Sequence, residues 1–332
     1  MSRSRRAAAV PSPYTAFAVA IVLALSLAAC SGGSDESSSG EGQGGGSNED
    51  DAAQTSSAGD FPVTISSDAG EFTLEEAPER IVSLSPSATE ILFAIGAGDQ
   101  VVAADSFSTY PDDAPVTDLS GFDPNVEAVT GYEPDLVVIS NDANDLVASL
   151  TELDIPVLVN PAPADIEDGY AGMAEVGIAT GHVDETAQEV SRIRSEVETA
   201  LEEGPQKPVR VYHELDNTFF SASSNGFVGS VYAELGATNI ADEADTDGTG
   251  FPQMTEEAII AADPQLIVIT DQVDYTAQDV AQRPGWDEIT AVQEGNIVTV
   301  DADIASRWGP RLPQFVSSAA TALTQAASVP TS

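Results

Sequence analysis

The stretch Val126 to Ser140, VEAVTGYEPDLVVIS, returns in degraded form at Glu256 to Thr270 as EEAIIAADPQLIVIT, an offset of 130 residues. Glu127, Ala128, Pro134, Leu136, Val138 and Ile139 recur as Glu257, Ala258, Pro264, Leu266, Val268 and Ile269. A chain that carries one such unit twice is expected to fold as two similar bodies. In each copy a residue able to cap a helix, Asn125 or Thr255, precedes a short apolar helix. That helix must stop before Pro134 or Pro264, because the residue before proline avoids helical backbone angles. A strand follows. Neither Leu136-Val137-Val138-Ile139 nor Leu266-Ile267-Val268-Ile269 alternates with polar residues, as suits parallel strands covered on both faces.

The flanking sequence extends this pattern. Phe61 to Leu74 predicts a hairpin around Ser-Asp-Ala-Gly. Ile81 to Leu84 predicts a strand, Ser85-Pro86-Ser87 a break, and Ala88 to Ile95 a helix stopped at Gly96. Val101 to Ala104 and Ile155 to Val159 predict further strands, so the first unit alternates β and α and favours a parallel sheet. Between Asp165 and Glu203 the pattern turns helical, with Ala187, Val190, Ile193, Val197, Ala200 and Leu201 at spacings of three and four. A helix of about twenty residues is about 30 Å long and can join two lobes in one pass. The second unit then repeats the order: strand Val209 to His213, loop Ser223 to Gly226, helix Phe227 to Leu235, the echo stretch, strand Asn296 to Val300 and a closing helix from Gln314 to Ala327.

Before these units lies different chemistry. Arg3, Arg5 and Arg6 precede an apolar run from Ala16 to Ala29, the layout of a signal peptide (residues 1–29). It ends in Leu27-Ala28-Ala29-Cys30, which resembles the lipobox of bacterial lipoproteins and makes Cys30, the only cysteine, a candidate for lipidation. Residues 30–60 are Ser, Gly, Asp and Glu with almost nothing apolar, and are expected to form a flexible tether with a reach of about 30 Å. The formal net charge is −44, so nucleic acid is not an expected partner, and the membrane is reached through the lipid alone. The acids are spread along the whole chain, which favours an acidic surface suited to high salt over a localised cation trap.

APERIVSLSPSATEILFAIGAGDQVVAAD, NVEAVTGYEPDLVVIS, the long central helix and the late RPGWDEITAVQEGNIVTVD resemble, in order, the substrate-binding proteins of ABC importers for ferric siderophores and cobalamin. The resemblance runs from Phe61 to the C-terminus. It implies an α/β fold of two Rossmann-like lobes with parallel sheets, residues 61–168 and 205–332, joined by a single long helix within residues 169–204, with a ligand cleft between the lobes. It also implies a monomer without a resident cofactor, lipid-anchored at the outer face of the cytoplasmic membrane. Its partners would be a small-molecule metal chelate and a permease dimer driven by cytoplasmic ATPases. Glu127 and Glu257 match the acidic residues through which such proteins dock on permease arginines; in the first turn of a helix the same residues also suit the helix dipole.

Ligands of α/β lobes meet the loops at the carboxyl ends of strands. That rule nominates Ser85, Pro86, Ser87, Phe107, Tyr110, Phe122, Ser140 and Asn141 in the first lobe. In the second it nominates His213, Glu214, Phe219, Phe251 and Asp271, with Arg307 and Arg311 from the segment after the last strand. Phe107 matches a family position that contributes an aromatic ring, whereas Ser140 stands where a cobalamin binder can carry tryptophan, a departure that weighs against cobalamin. Phe107, Phe219 and Phe251 also suit core positions, His213 a hydrogen-bonded surface or core position, Trp286 and Trp308 packing, and Arg307 and Arg311 either an anionic ligand or a buried salt bridge. With so few cations, neutral or cationic hydroxamate chelates or a corrinoid fit better than a catecholate complex. An alternative is a haem or bare metal-ion (Mn/Zn) protein of the same build, the ion held by carboxylates such as Glu214, Asp216, Asp245 and Asp247. The chain has no G-x-S-x-G elbow, phosphate loop or H-E-x-x-H, and no enzymatic activity is expected.

Overall fold

The structure is a computed structural model that describes residues 61–67 and 70–328. The signal sequence, Cys30 and the acidic tether lie outside the described residues. In chain order, a hairpin of β1 (Val63–Ser67) and β2 (Gly70–Leu74) comes first. A first α/β series follows: β3 (Ile81–Ser83), α1 (Pro86–Ala94), β4 (Val101–Ala104), α2 (Val126–Thr130), β5 (Leu136–Ile139), α3 (Leu146–Thr151) and β6 (Val157–Val159). Two long helices, α4 (Ile166–Thr180) and α5 (Val183–Glu202), lead to the second series. It comprises β7 (Arg210–His213), α6 (Phe227–Glu234), β8 (Thr238–Asn239), α7 (Glu256–Ala262), β9 (Leu266–Thr270), α8 (Ala277–Ala281), α9 (Thr290–Glu294) and β10 (Ile297–Val300). The chain closes with α10 (Ala302–Ser306) and α11 (Leu312–Ala327).

The two series build the same sheet. Strand order is β4-β3-β5-β6 in one and β8-β7-β9-β10 in the other, with every pairing parallel. In both, the order across the sheet is second, first, third, fourth. The repeated stretch is the third strand with the helix before it, α2-β5 and α7-β9, and each copy sits inside its sheet. Local chemistry begins each copy alike: Asn125 Oδ1 accepts the Ala128 N–H at 2.9 Å and Thr255 Oγ1 accepts the Ala258 N–H at 3.2 Å.

Burial on both faces accounts for the unbroken apolar strands. Leu136 and Val138 face an interior shared by both lobes, and Val137 and Ile139 face an outer layer. In the echo, Leu266 and Val268 take the shared interior while Ile267 and Ile269 face the second lobe's outer layer. At about 1.5–3 kcal/mol for each fully buried aliphatic side chain, burial on both faces stabilises each strand within its sheet.

The central helical region is two helices. Gly181, with φ 79°, ends α4, and α5 starts after His182. His182 Nδ1 lies 3.7 Å from where a Cβ on Gly96, just beyond α1, would stand, and Gly204, after the last turn of α5, meets Leu235, after α6, at 3.2 Å by the same measure. Thus α5 starts against the first lobe and ends against the second. Its buried face, including Ile193, Val197 and Ala200, joins the shared core with α4 and α11. Ser85-Pro86-Ser87 breaks the chain out of β3 as expected and also starts the helix: Ser85 Oγ accepts the Ala88 N–H at 3.3 Å, and Pro86 occupies the first turn, where no N–H donor is needed. The two-residue β8 and the short helices α3, α8, α9 and α10 are not predicted by the sequence patterns.

Candidate functional site

The carboxyl ends of both sheets meet at one seam. Arg307, which follows β10 and α10, donates to the Phe107 carbonyl beyond β4 at 3.0 Å. Trp308 Nε1 donates to Asn160 Oδ1, beyond β6, at 3.4 Å. The loops beyond β4, β6 and β10 therefore flank a common boundary. A cavity of about 430 Å³ lies on it among Glu90, Tyr110, Glu189, Arg192 and Arg311. Another of about 660 Å³ lies among Asn160, Pro163, Gly172, Ile178 and Trp308.

Aromatic rings stand out of strand-end loops in both lobes. Phe107 is 52% exposed and Phe122 is 74% exposed, and the two meet edge to face at 5.5 Å. Tyr110 is also exposed, with the Arg311 guanidinium 4.4 Å from its ring centre. Beneath them Asp105 Oδ1 accepts the Ser108 hydroxyl at 2.6 Å, and burial pushes the Asp105 carboxyl up. Gly121 lets the Phe122 loop lie against the end of β3: a Cβ there would stand 2.2 Å from the Leu84 carbonyl oxygen. In the second lobe Phe251 is 53% exposed. Its loop is gathered by Asp245, which accepts Ser223 Oγ at 2.5 Å, Asn225 Nδ2 at 2.8 Å and the Gly250 N–H at 3.0 Å. The bonds from Ser223 and Asn225 hold this carboxyl down at about 2.

Other nominated residues have internal partners. His213 is buried and shares a 2.9 Å hydrogen bond between Nδ1 and the Tyr232 hydroxyl; burial pulls its pKa down to about 4. Glu214 is fully buried and accepts both terminal nitrogens of Arg283 at 2.7 Å and the Tyr275 hydroxyl at 2.5 Å. Phe219, with φ 66°, stacks on the buried Trp286 at 6.2 Å, and it is the neighbouring Phe220 that is exposed. Ser85 caps α1, Pro86 is in its first turn and Ser87 is buried. Ser140 donates to Asn141 Oδ1 at 3.2 Å, leaving Asn141 exposed. Asp271 accepts the Ala302 N–H at 2.9 Å at the start of α10. Arg307 and Arg311 both reach across the seam to Glu90 of α1. Among the described residues no three His, Cys, Asp or Glu side chains are placed to hold a metal ion together. Glu214, Asp216 and Asp245 are engaged separately with Arg283, Thr218 and Ser223.

A helix that precedes a parallel strand runs back against it, so its first turn lies level with the carboxyl ends of the sheet. Glu127 in α2 and Glu257 in α7 occupy such turns, and both are exposed. The adjacent Glu256 is different: its Oε1 accepts the Trp286 indole N–H at 2.9 Å.

A profile of the periplasmic binding protein family matches residues 81–304. The chain belongs to this family. It is a substrate-binding protein with a duplicated α/β fold. It is 32% identical over 275 residues to YvrC of Bacillus subtilis, described as an uncharacterized ABC transporter substrate-binding lipoprotein, covering 79% of this chain and 86% of that one. It is 33% identical over 285 residues to a cobalamin-binding protein of Halobacterium salinarum, covering 81% and 76%. The crystal structure of a possible iron-binding (periplasmic solute-binding) protein of Staphylococcus epidermidis superimposes with a TM-score of 0.67 at 25% identity, covering 75% of this chain and 99% of that one.

Two residues of this binding protein, Glu90 at the seam and the exposed Phe220 in the second lobe, are not among the residues the strand-end rule nominates. Glu90 was hidden inside the apolar run Ala88 to Ile95, although an acid between Thr89 and Ile91 on a buried helix is itself a signal for a buried partner. Phe220 had no such signal, because the choice between Phe219 and Phe220 depends on which way one loop residue turns.

Proposed function

We propose that this protein captures a metal chelate, a corrinoid first and a ferric hydroxamate siderophore second, and delivers it to the permease of an ABC importer. The observation that carries this reading is the set of exposed aromatic rings, Phe107, Phe122 and Phe251, at the carboxyl edges of two like sheets. Flat apolar walls with few polar groups suit a large, rigid ligand with an organic periphery. The cobalamin-binding relative supports a corrinoid and outweighs the serine at position 140. Phe107, Tyr110, Phe122, Asn141, Phe251 and Asp271 are the residues with surface to offer such a ligand. His213, Glu214 and Phe219 support it from within. In this scheme Cys30 carries the lipid that holds the protein at the outer face of the membrane, and Glu127 and Glu257 dock on the permease.

A bare-ion site receives no support from the scattered carboxylates. Intrinsic fluorescence titration with cyanocobalamin, ferric hydroxamates, a ferric catecholate, haem, Mn²⁺ and Zn²⁺ tests the proposal. Saturable binding of the corrinoid or a hydroxamate, weakened about tenfold or more by Phe107→Ala, is the expected result. Binding of Mn²⁺ or Zn²⁺ alone would replace the chelate with a bare ion.

A further inference from the structure

Both arginines at the seam are already occupied by one buried acid. Glu90 is 2% exposed on α1 between Ala88, Ile91 and Leu92, which are fully buried. Its Oε1 accepts Arg307 Nη1 at 3.1 Å and Arg311 Nη2 at 2.6 Å, and its Oε2 accepts Arg311 Nε at 2.8 Å. Arg307 also pairs with Asp303 at 2.8 Å, so two carboxylates face two guanidiniums. The same arginines touch the aromatic loop: Arg307 holds the Phe107 carbonyl and Arg311 lies over the Tyr110 ring.

Stability alone does not account for this arrangement, since a buried ion pair is often matched or bettered by apolar residues of similar volume. Its consequence for a ligand is clearer. Guanidinium pairs are the usual means of gripping anionic groups, and here both are balanced just behind the rings proposed to receive ligand. A strongly anionic chelate would have to displace Glu90 from the arginines within a chain of formal net charge −44. A neutral or cationic chelate meets no such opposition.

We infer that Glu90 is a specificity-determining residue: it is an internal counter-ion that withholds Arg307 and Arg311 from anionic chelates and so restricts the cleft to neutral or cationic ones. This rests on the chelate-capture proposal above. The test compares the purified chain with Glu90→Gln and Glu90→Asp by fluorescence titration against cyanocobalamin, a ferric trihydroxamate and a triply anionic ferric tricatecholate. The parent is expected to bind the corrinoid or the trihydroxamate at least about tenfold more tightly than the tricatecholate. Glu90→Gln should narrow that ratio by about tenfold, through tighter tricatecholate binding, while Glu90→Asp keeps the parental ratio.

If Glu90→Gln does not fold, the double variant Glu90→Gln/Arg311→Gln leaves Arg307 paired with Asp303 and should shift the ratio in the same direction by a smaller factor. An unchanged ratio in a folded variant overturns the role of Glu90 while leaving chelate capture intact. A parent that prefers the tricatecholate overturns it too. A parent that binds none of the three removes the chelate-capture proposal and this inference with it.

Discussion

His213, at the end of β7, has its ring buried against Tyr232 and not turned out toward a ligand, with its pKa pulled down to about 4 by burial. An unfolded imidazole titrates near 6.5. Between those values the unfolded chain binds a proton that the native state refuses, so stability present above 6.5 is lost as the pH falls toward 4. By about pH 5 the loss from this one group is about 2 kcal/mol. Urea denaturation near pH 7 and about pH 5 should therefore show a larger acid loss for the parent than for His213→Gln; equal losses would rule the buried histidine out as a source. Of the nominated phenylalanines, Phe107, Phe122 and Phe251 are exposed, whereas Phe219 turns inward onto Trp286. For Arg307 and Arg311 the buried salt bridge, one of the two expected roles, is present, but their partner Glu90 lies more than two hundred residues away in sequence, and only the folded seam brings the charges together.

At the scale of elements, close helix packing imposes a specific sequence requirement. Gly177 of α4 faces Thr186 of α5 so closely that a Cβ would stand 2.2 Å from Thr186 Oγ1. Thr186 is buried and its hydroxyl donates to the His182 carbonyl at 2.6 Å, so it cannot swing aside without losing that bond. Gly177→Ala should destabilise the fold by about 1–3 kcal/mol through overpacking, and adding Thr186→Ala should recover part of the loss in chemical denaturation. A single variant as stable as the parent would show that the helices tolerate more space. The strands and capped helices were readable because four consecutive apolar residues, or a cap followed by an apolar turn, act over one local stretch. The two-residue β8 was not, since it exists only through its pairing with β7.

On the scale of the whole molecule, duplication supplies two equivalent exposed acids, Glu127 and Glu257, at the first turns of equivalent helices. One contact per lobe would orient a pseudo-symmetric body on a two-fold partner. Replacing both by alanine should lower ligand uptake by more than about tenfold while changing ligand affinity less than about twofold. Normal uptake by the double variant, measured in cells that depend on this importer, would leave the acids only a helix-dipole role. Glu256→Ala makes a useful contrast: by freeing the Trp286 indole N–H it should lower the thermal midpoint, an effect that alanine at Glu127 should not produce.

The sequence alone determined the duplication, the parallel strands, the linking helix and the family. Each rests on short-range patterns, an apolar run, a cap, a proline, repeated in order along the chain. The tertiary structure decided which candidate side chains are available. Position at or after a strand end nominates His213, Glu214, Phe219 and Arg311 but cannot orient them. Their orientation depends on packing and charge partners from other elements: Tyr232, Arg283, Trp286 and Glu90. Such long-range pairings carry no local period in sequence, so they emerge only when the two lobes close around a common core.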